Sequence, residues 1–486
     1  MTFLWHDYET WGTHPAYDRP AQFAAQRTDE DLNFVGEPLM LFCSPPRDSL
    51  PHPGASLVTG LTPQRCAREG VAEAEFAAAI HEEMMQPKTC GVGYNSMKFD
   101  DQVSRYLFYR NFFDPYEREW RHGNSRWDLI GLVRMCYALR PEGVEWPLHE
   151  SGRPSFRLQD LAAANGIDQA TPHEALADVL ATIGLARLLR GAQPRLFRWS
   201  LALRDAGQVA RLLSPDAPQP VVHSSGRISA SRGCTTLVLP LAAMPGRAHW
   251  VIVTDLMSDP GPLIELDAAD IADRVFTPTQ DLPEEVERIP LKTIAHKHSP
   301  MVAPPGVLQG VDTDRIGLDP ERCEAHAKQL LAHLPAIRGK LREVYAGAPP
   351  QPDGDPDGML YSGGFFTDRD KRLMNVIRAT PPEQLGARDW GFEDPRLPEM
   401  LFRYRARNWP DTLNEEEFAH WEKGRLRRLR EPGPVGRLDA ATFRAELARA
   451  REQSATDGSA LRVLDRLEAW ALELLGGDLN GDEITP

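Results

Sequence analysis

Two carboxylates, Asp7 and Glu9, stand two residues apart within the apolar segment FLWHDYETWG, which predicts a β-strand near the start of the chain. Residues i and i+2 of a strand point to the same face, so the two side chains would lie beside each other. Clusters that offer only oxygen ligands suit Mg²⁺ or Mn²⁺. The pair therefore indicates a metal site, with a solvated strand face as the alternative.

A third carboxylate, Asp100, falls at the start of a predicted helix. Its surroundings, CGVGYNSMKFDDQVSRYLFYRN, indicate a short strand at 92–94, a turn at 95–96 and a helix that opens near Asp100. The helix dipole favours an anion in the first turn, and we expect the oxygens of Asp100 to face outward. A capping role is the alternative. Ser96 stands where G-x-G-x-x-G needs its third glycine, which excludes the dinucleotide-binding fingerprint.

The segment TPHEALADVLATIGLARLLR predicts a later helix that carries two more candidates, His173 and Asp178. Thr171 would cap this helix, Pro172 would open it, and the apolar residues recur at helical spacing. His173 and Asp178 are five residues apart, so they share a site only if His173 lies in the first turn, where the capping residues place it. A structural role for a single His near a helix end is the alternative.

Taken in order, these motifs resemble the DEDDh family of 3′→5′ exonucleases. The resemblance implies a ribonuclease H-like α/β fold and two Mg²⁺ ions, with Mn²⁺ as a substitute. The catalytic and metal-binding set would be Asp7, Glu9, Asp100 and Asp178, with His173 as the general base. Asp7 and Asp178 would hold the ion that activates water, and His173 would take the proton of that water.

Further segments resemble one bacterial branch of this family, the exodeoxyribonucleases that degrade single strands. They are FDDQVSRYLFYRNFFDPYE, NSRWDLIGLVRMCYALRPEGVEWP, PSFRLQDLAAANGI and LFRYRARNWPDTL. The similarity runs through nearly the whole chain. It implies a nuclease domain, an SH3-like α+β domain and a helical C-terminal domain that together form a C-shaped channel. Such an enzyme would release 5′-mononucleotides from single-stranded DNA in DNA repair and recombination.

Breaker residues place the domain boundaries, and 486 residues favour about three domains. We expect the nuclease at 1–190, the SH3-like domain at 194–347 and the C-terminal domain at 355–486. Segment 191–197 is interpreted as a connector, and 346–358, rich in Pro and Gly, as a linker. The chain from about residue 194 predicts strands in CTTLVLPLA, AHWVIVTDL, PLIELD and RIPLKTIAH, then helices at 323–345 and 461–474.

Aromatic and basic residues alternate where a single strand would need stacking surfaces and phosphate partners. An aromatic ring contributes about 1 to 3 kcal/mol per stacked base, and arginines pair with phosphates. The candidates are Arg105, Tyr116, Trp120, Arg134, Arg140, Phe156, Arg157 and, in a less regular region, Trp199. By resemblance, Tyr116, Trp120, Phe156 and Arg157 hold the strand, and Glu9 also contacts it. Core packing is the alternative for the aromatics and is favoured for Trp127.

The formal net charge of −15 conceals local groups of arginine. One group surrounds the acidic motifs. The other comes late in the chain: Arg403, Arg405, Arg407, Arg425, Arg427, Arg428 and Arg430. An acidic exterior with a basic channel is compatible with binding a single strand. Ordinary salt bridges are the alternative for the late group.

The six cysteines are scattered without a C-x-x-C pair, which argues against disulfides and against a zinc site. We expect them to be reduced and packed. The chain has no run of eighteen apolar residues and no signal-like N-terminus, which predicts a cytoplasmic protein without a membrane segment. The resemblance implies a monomer.

Two alternatives stay open. A 3′→5′ exoribonuclease would use the same cluster, since none of the five motif residues reads a 2′-OH. A non-catalytic protein that binds single-stranded nucleic acid would be expected to have lost a carboxylate or the histidine. In the family, single-stranded DNA-binding protein docks its C-terminal tail in a basic pocket. Here PMVAPPGVLQGVDTD offers Pro304 and Gln309 and no basic residue, so that partner is an open prediction.

Overall fold

A computed structural model describes residues 1–168, 174–347 and 354–477. The described residues form two compact units. One comprises residues within 1–125, 170–180 and 350–486, and the other comprises residues within 126–169 and 181–349. Each unit is therefore assembled from segments that lie far apart in the sequence.

The elements follow one another along the chain in three stretches. The first holds β1 (Thr2–Thr10), β2 (Pro20–Thr28), β3 (Phe34–Phe42), α1 (Pro53–Thr59), α2 (Pro63–Glu69), α3 (Glu73–Met84), β4 (Thr89–Gly93), α4 (Asp100–Arg110), β5 (Ser125–Asp128) and α5 (Leu129–Leu139). The second holds α6 (Leu158–Ala164), α7 (Ala175–Ala192), α8 (Pro194–Ala202), α9 (Ala206–Leu212), β6 (Val221–Ser224), β7 (Thr235–Ala243), β8 (Trp250–Asp255), α10 (Gly261–Glu265), α11 (Ala268–Phe276), β9 (Leu291–Ala295) and β10 (Met301–Ala303). The third is helical, with α12 (Pro320–Ala332), α13 (Leu334–Val344), α14 (Asp368–Ala379), α15 (Leu397–Asn408), α16 (Glu415–Arg430), α17 (Ala440–Gln453) and α18 (Gly458–Leu475).

Strand β1 lies inside the first sheet, whose order is β3-β2-β1-β4-β5. It pairs antiparallel with β2 and parallel with β4. Phe3, Leu4 and Trp5 on β1 are at most 1% exposed, and every residue of β2 is buried. A strand paired on both edges and packed on its faces leaves few side chains to water. The alternative of a solvated face for Asp7 and Glu9 is therefore wrong.

The second sheet is antiparallel with the order β10-β6-β7-β8-β9. The strands predicted in CTTLVLPLA, AHWVIVTDL and RIPLKTIAH are confirmed as β7, β8 and β9. The strand predicted in PLIELD is wrong, because that segment forms α10, whose proline stands in the first turn, where no N–H is needed. The predicted change to β structure near residue 194 is also wrong, since α8 and α9 precede the first strand. Pro194 opens α8, and the Asp205 side chain caps α9.

The helices predicted at 323–345 and 461–474 are confirmed by α12, α13 and α18. The Asp457 side chain caps the start of α18, and the helix is followed by Gly476, whose φ of 77° lies in the left-handed region. Among the described residues, no helix is both long enough and apolar enough to cross a membrane. The six cysteines are buried free thiols, as expected.

The linker interpretation of 346–358 is wrong for Asp355 and Asp357, which are both buried. Asp357 is 2% exposed, and its Oδ2 lies 2.6 Å from Arg407 Nη2 and 3.1 Å from Arg403 Nη1. Asp355 and Asp48 join the same buried network: Arg428 Nη1 lies 3.0 Å from Asp355 Oδ2, and Arg407 Nη2 lies 2.7 Å from Asp48 Oδ2. The composition of this segment predicted a solvated linker, whereas the carboxylates of Asp355 and Asp357 neutralise buried arginines.

Most arginines of the late group form salt bridges, some of them within this network. Arg403, Arg407 and Arg428 pair with the three aspartates. Arg405 pairs with Glu417 at 2.6 Å, and Arg425 pairs with Glu422 at 2.5 Å. These guanidinium groups are committed to internal carboxylates. The salt-bridge alternative is therefore confirmed for these five.

Candidate active site

Asp7 and Glu9 project from the same face of β1, next to the end of the strand. In the register with β2, Asp7 lies opposite Ala24 and Glu9 lies opposite Gln22. The ladder becomes irregular between Glu9 and Thr10. Glu9 is 8% exposed and Asp7 is partly buried. The strand thus holds two carboxylates side by side in a poorly solvated position.

Asp100 reaches the same strand from the start of α4. Strand β4 ends at Gly93, and Asn95 then turns the chain with a φ of 62°, so α4 begins only seven residues after β4 ends. The buried side chain of Asp100 accepts a hydrogen bond at 3.1 Å from the backbone N–H of Tyr8, the residue between Asp7 and Glu9. The predicted strand, turn and helix start are confirmed. The expectation that its oxygens face outward is wrong, because they point at β1.

Asp178 comes from the first turn of α7. One carboxylate oxygen from each of Asp7, Glu9 and Asp178 lies within 4.8 Å of the other two. The backbone N–H of Ala175, the first residue of α7, donates a long hydrogen bond of 3.5 Å to Oε1 of Gln22. Gln22 is buried on β2 opposite Glu9, so it joins the start of the helix to the strand beside the cluster. We did not predict Gln22, because a lone glutamine in a strand carries no motif.

The cluster concentrates negative charge. Burial is the largest cause that raises the pKa of Asp7 well above its ordinary value. The negative charges of Asp100, Glu9 and Asp178 raise it further. Burial and, to a smaller extent, the negative charges of Asp178 and Asp100 raise the pKa of Glu9 to about 8. Carboxylates this close cannot all ionise cheaply without a cation between them. The residues therefore fit a divalent metal, whose oxygen ligands they would supply.

His173 lies outside the described residues, together with Thr171 and Pro172. The prediction put the first residue of this helix at Pro172. In the structure α7 begins at Ala175, and the preceding residue, Glu174, is not helical. The role of His173 stays a prediction.

Three predicted strand-binding residues lie in the unit that holds the cluster. Trp120 is 65% exposed, and Tyr116 is partly buried. Arg105 is buried, and its Nε and Nη2 donate to Glu119 at 2.7 and 2.9 Å. The guanidinium of Arg105 also lies 5.2 Å from the ring centroid of Tyr116. Trp120 thus offers an exposed ring on which a base could stack, whereas the guanidinium group of Arg105 already contacts Glu119 and Tyr116.

The other predicted contacts lie in the second unit. Arg157 is exposed at the start of α6, and Phe156 meets Tyr137 edge to face at 5.5 Å. Arg134 is partly buried and has a buried Nε without a hydrogen-bond partner among the described residues.

Two further candidates in this unit are tied to backbone carbonyls. Arg140 Nη2 donates to the carbonyl oxygens of Val307 and Gln309 at 3.1 and 3.3 Å. Trp199 lies on α8, not in an irregular region, and its Nε1 donates to Val302 O at 2.8 Å. Trp127 is 1% exposed, which confirms the core position favoured for it.

Three family models match the chain. The model described as exonuclease matches residues 4–186, the exonuclease I SH3-like domain matches 204–347, and the exonuclease I C-terminal domain matches 354–474. Exodeoxyribonuclease I of Escherichia coli (strain K12) is 43% identical over 475 residues, which cover 98% of each chain.

Solved structures of the E. coli protein are similar over the same extent. Its complex with a dA16 oligonucleotide matches with a TM-score of 0.93 and 43% identity, covering 97% of this chain and 99% of that one. The zinc-bound form of its complex with single-stranded DNA matches with a TM-score of 0.92 and 42% identity, covering 98% and 99%.

A buried carboxylate cluster on the inner strand of a mixed sheet, within a matched exonuclease domain, defines a nuclease that depends on a divalent metal. The chain belongs to the exodeoxyribonuclease I family. The predicted class of enzyme is therefore confirmed, as are the three kinds of domain.

Proposed function

We propose that this enzyme hydrolyses single-stranded DNA from the 3′ end and releases 5′-mononucleotides. The observation that carries the proposal is the convergence of Asp7, Glu9 and Asp178, with Asp100 tied to the same strand. The oligonucleotide complexes of the E. coli relative support DNA as the substrate. A protein that only binds DNA would have no need for this costly cluster of like charges.

Asp7, Glu9, Asp100 and Asp178 would hold two Mg²⁺ ions, with Mn²⁺ as a substitute. When bound, such ions supply an activated water and stabilise the attacking and leaving oxygens of an in-line displacement. The contribution of the protein is placement, because β1 presents two carboxylates on one face and α7 presents a third. We also assign to Glu9 a contact with the terminal nucleotide.

We assign the proton transfer to His173. The water oxygen bonds to phosphorus, the bond from phosphorus to the 3′ oxygen of the preceding nucleotide breaks, and that oxygen leaves with the electron pair. His173 takes the proton of the attacking water, and solvent supplies one to the leaving oxygen. A histidine suits this task because its pKa lies close to neutral pH.

Trp120, Tyr116 and Phe156 would stack on bases, and Arg157 and Arg134 would meet phosphates. Trp120 and Arg157 support this proposal best, because both side chains are exposed. Arg105, Arg140 and Trp199 donate their polar hydrogens within the protein. For these three we propose a supporting role beneath the strand.

The test is digestion of end-labelled substrates with Mg²⁺ or with EDTA. We expect single-stranded DNA to yield 5′-mononucleotides from its 3′ end only with Mg²⁺, and a 3′ tail to be removed up to a duplex junction. RNA digested at an equal rate would favour the exoribonuclease alternative. Asp7→Asn should be inactive, whereas the matched exposed variant Asp31→Asn should not differ from wild type. Equal activity of the two variants would overturn the proposal.

The wider setting is proposed on the same basis. A single-strand exonuclease of this family would act in DNA repair and recombination in the cytoplasm, as a monomer. The boundaries 1–190, 194–347 and 355–486 remain our proposed division into domains. Binding of the tail of single-stranded DNA-binding protein also stays a prediction.

A further inference from the structure

Two adjoining cavities lie among the C-terminal helices, in the unit that holds the carboxylate cluster. The larger, of about 410 Å³, is lined by Arg403, Arg427, Arg428 and Arg437. The smaller, of about 230 Å³, is lined by Phe402, His420, Trp421 and Lys423. Arg403, Gly424, Arg427 and Arg428 line both, so the two cavities form one site. None of its residues belongs to the catalytic cluster.

The larger cavity carries more positive charge than its own carboxylates neutralise. Four guanidinium groups face it, against the carboxylates of Asp355 and Glu431. Asp355 alone serves three of them: its oxygens lie 2.6 Å from Arg403 Nη1, 3.0 Å from Arg428 Nη1 and 3.8 Å from Arg437 Nη1. Arg403 is further neutralised by Glu399 and Asp357. Arg428 is further neutralised by Asp48 and Asp357, each 3.6 Å away. The excess charge therefore rests on Arg427 and Arg437.

Two of these arginines have donors to spare. Arg427 is exposed and forms no ion pair within the described chain. Arg437 has a buried Nε without a hydrogen-bond partner among the described residues, and its Nη2 donates only to the carbonyl oxygen of Glu431 at 3.3 Å. A buried donor without a partner is destabilising. An anion with several acceptor oxygens would satisfy these groups together.

The smaller cavity offers a ring surface next to this anion site. Phe402 and His420 meet with ring centroids 5.2 Å apart at 64°, and His420 is exposed. Gly424 on α16 lines both cavities, and a Cβ there would meet no atom within 4 Å. A long side chain at this position would therefore extend into space that both cavities share.

We propose that this site binds a nucleoside 5′-monophosphate, with the phosphate among the arginines and the base against Phe402 and His420. A phosphate dianion suits the guanidinium groups of Arg427 and Arg437, and a flat base matches the ring surface. Binding requires no turnover, so the proposal does not depend on the reaction at the carboxylate cluster. If that reaction releases 5′-mononucleotides, the site would bind its product away from the catalytic centre.

The test is calorimetric titration of the full chain in EDTA with dAMP, adenosine and inorganic phosphate. We expect one equivalent of dAMP to bind at least tenfold more tightly than either fragment. Gly424→Leu should abolish this binding by occupying space that both cavities share, whereas the control Gly424→Ala should retain it. Arg427→Glu should weaken it at least tenfold and Arg427→Lys much less. Unchanged melting temperatures would show that the variants are folded.

Binding should also persist in Asp7→Asn, which separates this site from the catalytic centre. Three results would each overturn the proposal: no dAMP binding in wild type, phosphate binding as tight as dAMP binding, or dAMP binding unchanged in Gly424→Leu. The second result would indicate a simple anion site, and the third would place the nucleotide elsewhere on the chain. Failure of DNA hydrolysis in a separate assay would leave all of these measurements interpretable.

Discussion

The backbone N–H of Tyr8 donates a hydrogen bond to Oδ1 of Asp100 at 3.1 Å. This bond joins the start of α4 to the centre of the D-x-E motif, although the two residues are 92 positions apart. Gln22 makes the corresponding link to the start of α7. Each helix that delivers a carboxylate is therefore tied to the β1–β2 pair by a hydrogen bond, which fixes the acidic groups before a metal binds.

Replacing a cluster carboxylate should abolish hydrolysis and leave the fold intact. Asp7→Ala and Asp178→Ala each remove a metal ligand, but they also relieve the repulsion that raises the pKa of Asp7 and of Glu9. We expect no detectable digestion of labelled single-stranded DNA, with a melting temperature in EDTA equal to or above that of wild type. Near wild-type rates in either variant would exclude the metal assignment.

The metal-free enzyme should become less stable as the pH rises. The pKa of Glu9 in the folded state is about 8, above its ordinary value of 4.5, so the folded protein holds this proton more tightly than the unfolded chain. The resulting stability is fully present below 4.5 and is lost as the pH rises through about 8. Melting temperatures in EDTA should therefore fall from about pH 6 to about pH 9. Glu9→Gln should flatten this fall, and a rise over the same window would contradict the charge cluster.

His173→Ala should separate chemistry from binding. If His173 is the general base, kcat should fall by about 10²–10⁴, with affinity for single-stranded DNA in Ca²⁺ nearly unchanged. Single-turnover rates and fluorescence anisotropy measure the two quantities. A variant that turns over normally but binds poorly would make His173 a substrate contact instead.

Trp120→Ala should weaken binding of single-stranded DNA by about 1 to 3 kcal/mol, the contribution of one stacked base. The side chain is 65% exposed, so the change should leave the melting temperature unaltered. Phe418→Ala, which removes another exposed ring of the same unit, is the matched control and should bind normally. Equal affinities of the two variants would remove Trp120 from the strand-binding surface.

Arg157 and Arg105 should behave differently when replaced by alanine. Arg157 is exposed, so Arg157→Ala should flatten the salt dependence of binding by about one phosphate contact without a loss of stability. Arg105 is buried against Glu119, so Arg105→Ala should lower the melting temperature because it removes two buried hydrogen bonds to that carboxylate. Binding measured against salt, together with thermal unfolding, checks both. A stable Arg105→Ala with a reduced salt slope would restore Arg105 as a phosphate contact.

Asp357→Asn should destabilise the protein by about 3–5 kcal/mol, because it leaves buried arginines without their counter-charge. Urea unfolding measures this change, and the exposed variant Asp31→Asn serves as the control. A loss below about 1 kcal/mol would show that Asp355 and Asp48 neutralise these arginines without Asp357.

The sequence by itself was sufficient for features that depend on neighbours in the chain. Alternation placed Asp7 and Glu9 on one strand face, and the turn after β4 placed Asp100 at a helix start. The strands β7, β8 and β9 and the last helix followed from the same local periodicities. Such patterns can be predicted from the sequence because the backbone geometry of strands and helices repeats over two to four residues.

Only the tertiary structure decided which charged groups meet. Arg105 and Arg157 look alike in the sequence, but one is buried against Glu119 and the other is exposed. Asp355 and Asp357 sit in a segment with the composition of a linker and yet neutralise arginines of α15 and α16. Gln22 touches α7 across more than 150 residues. Packing between distant segments determines which charged groups pair, so the pairing cannot be predicted from composition or periodicity.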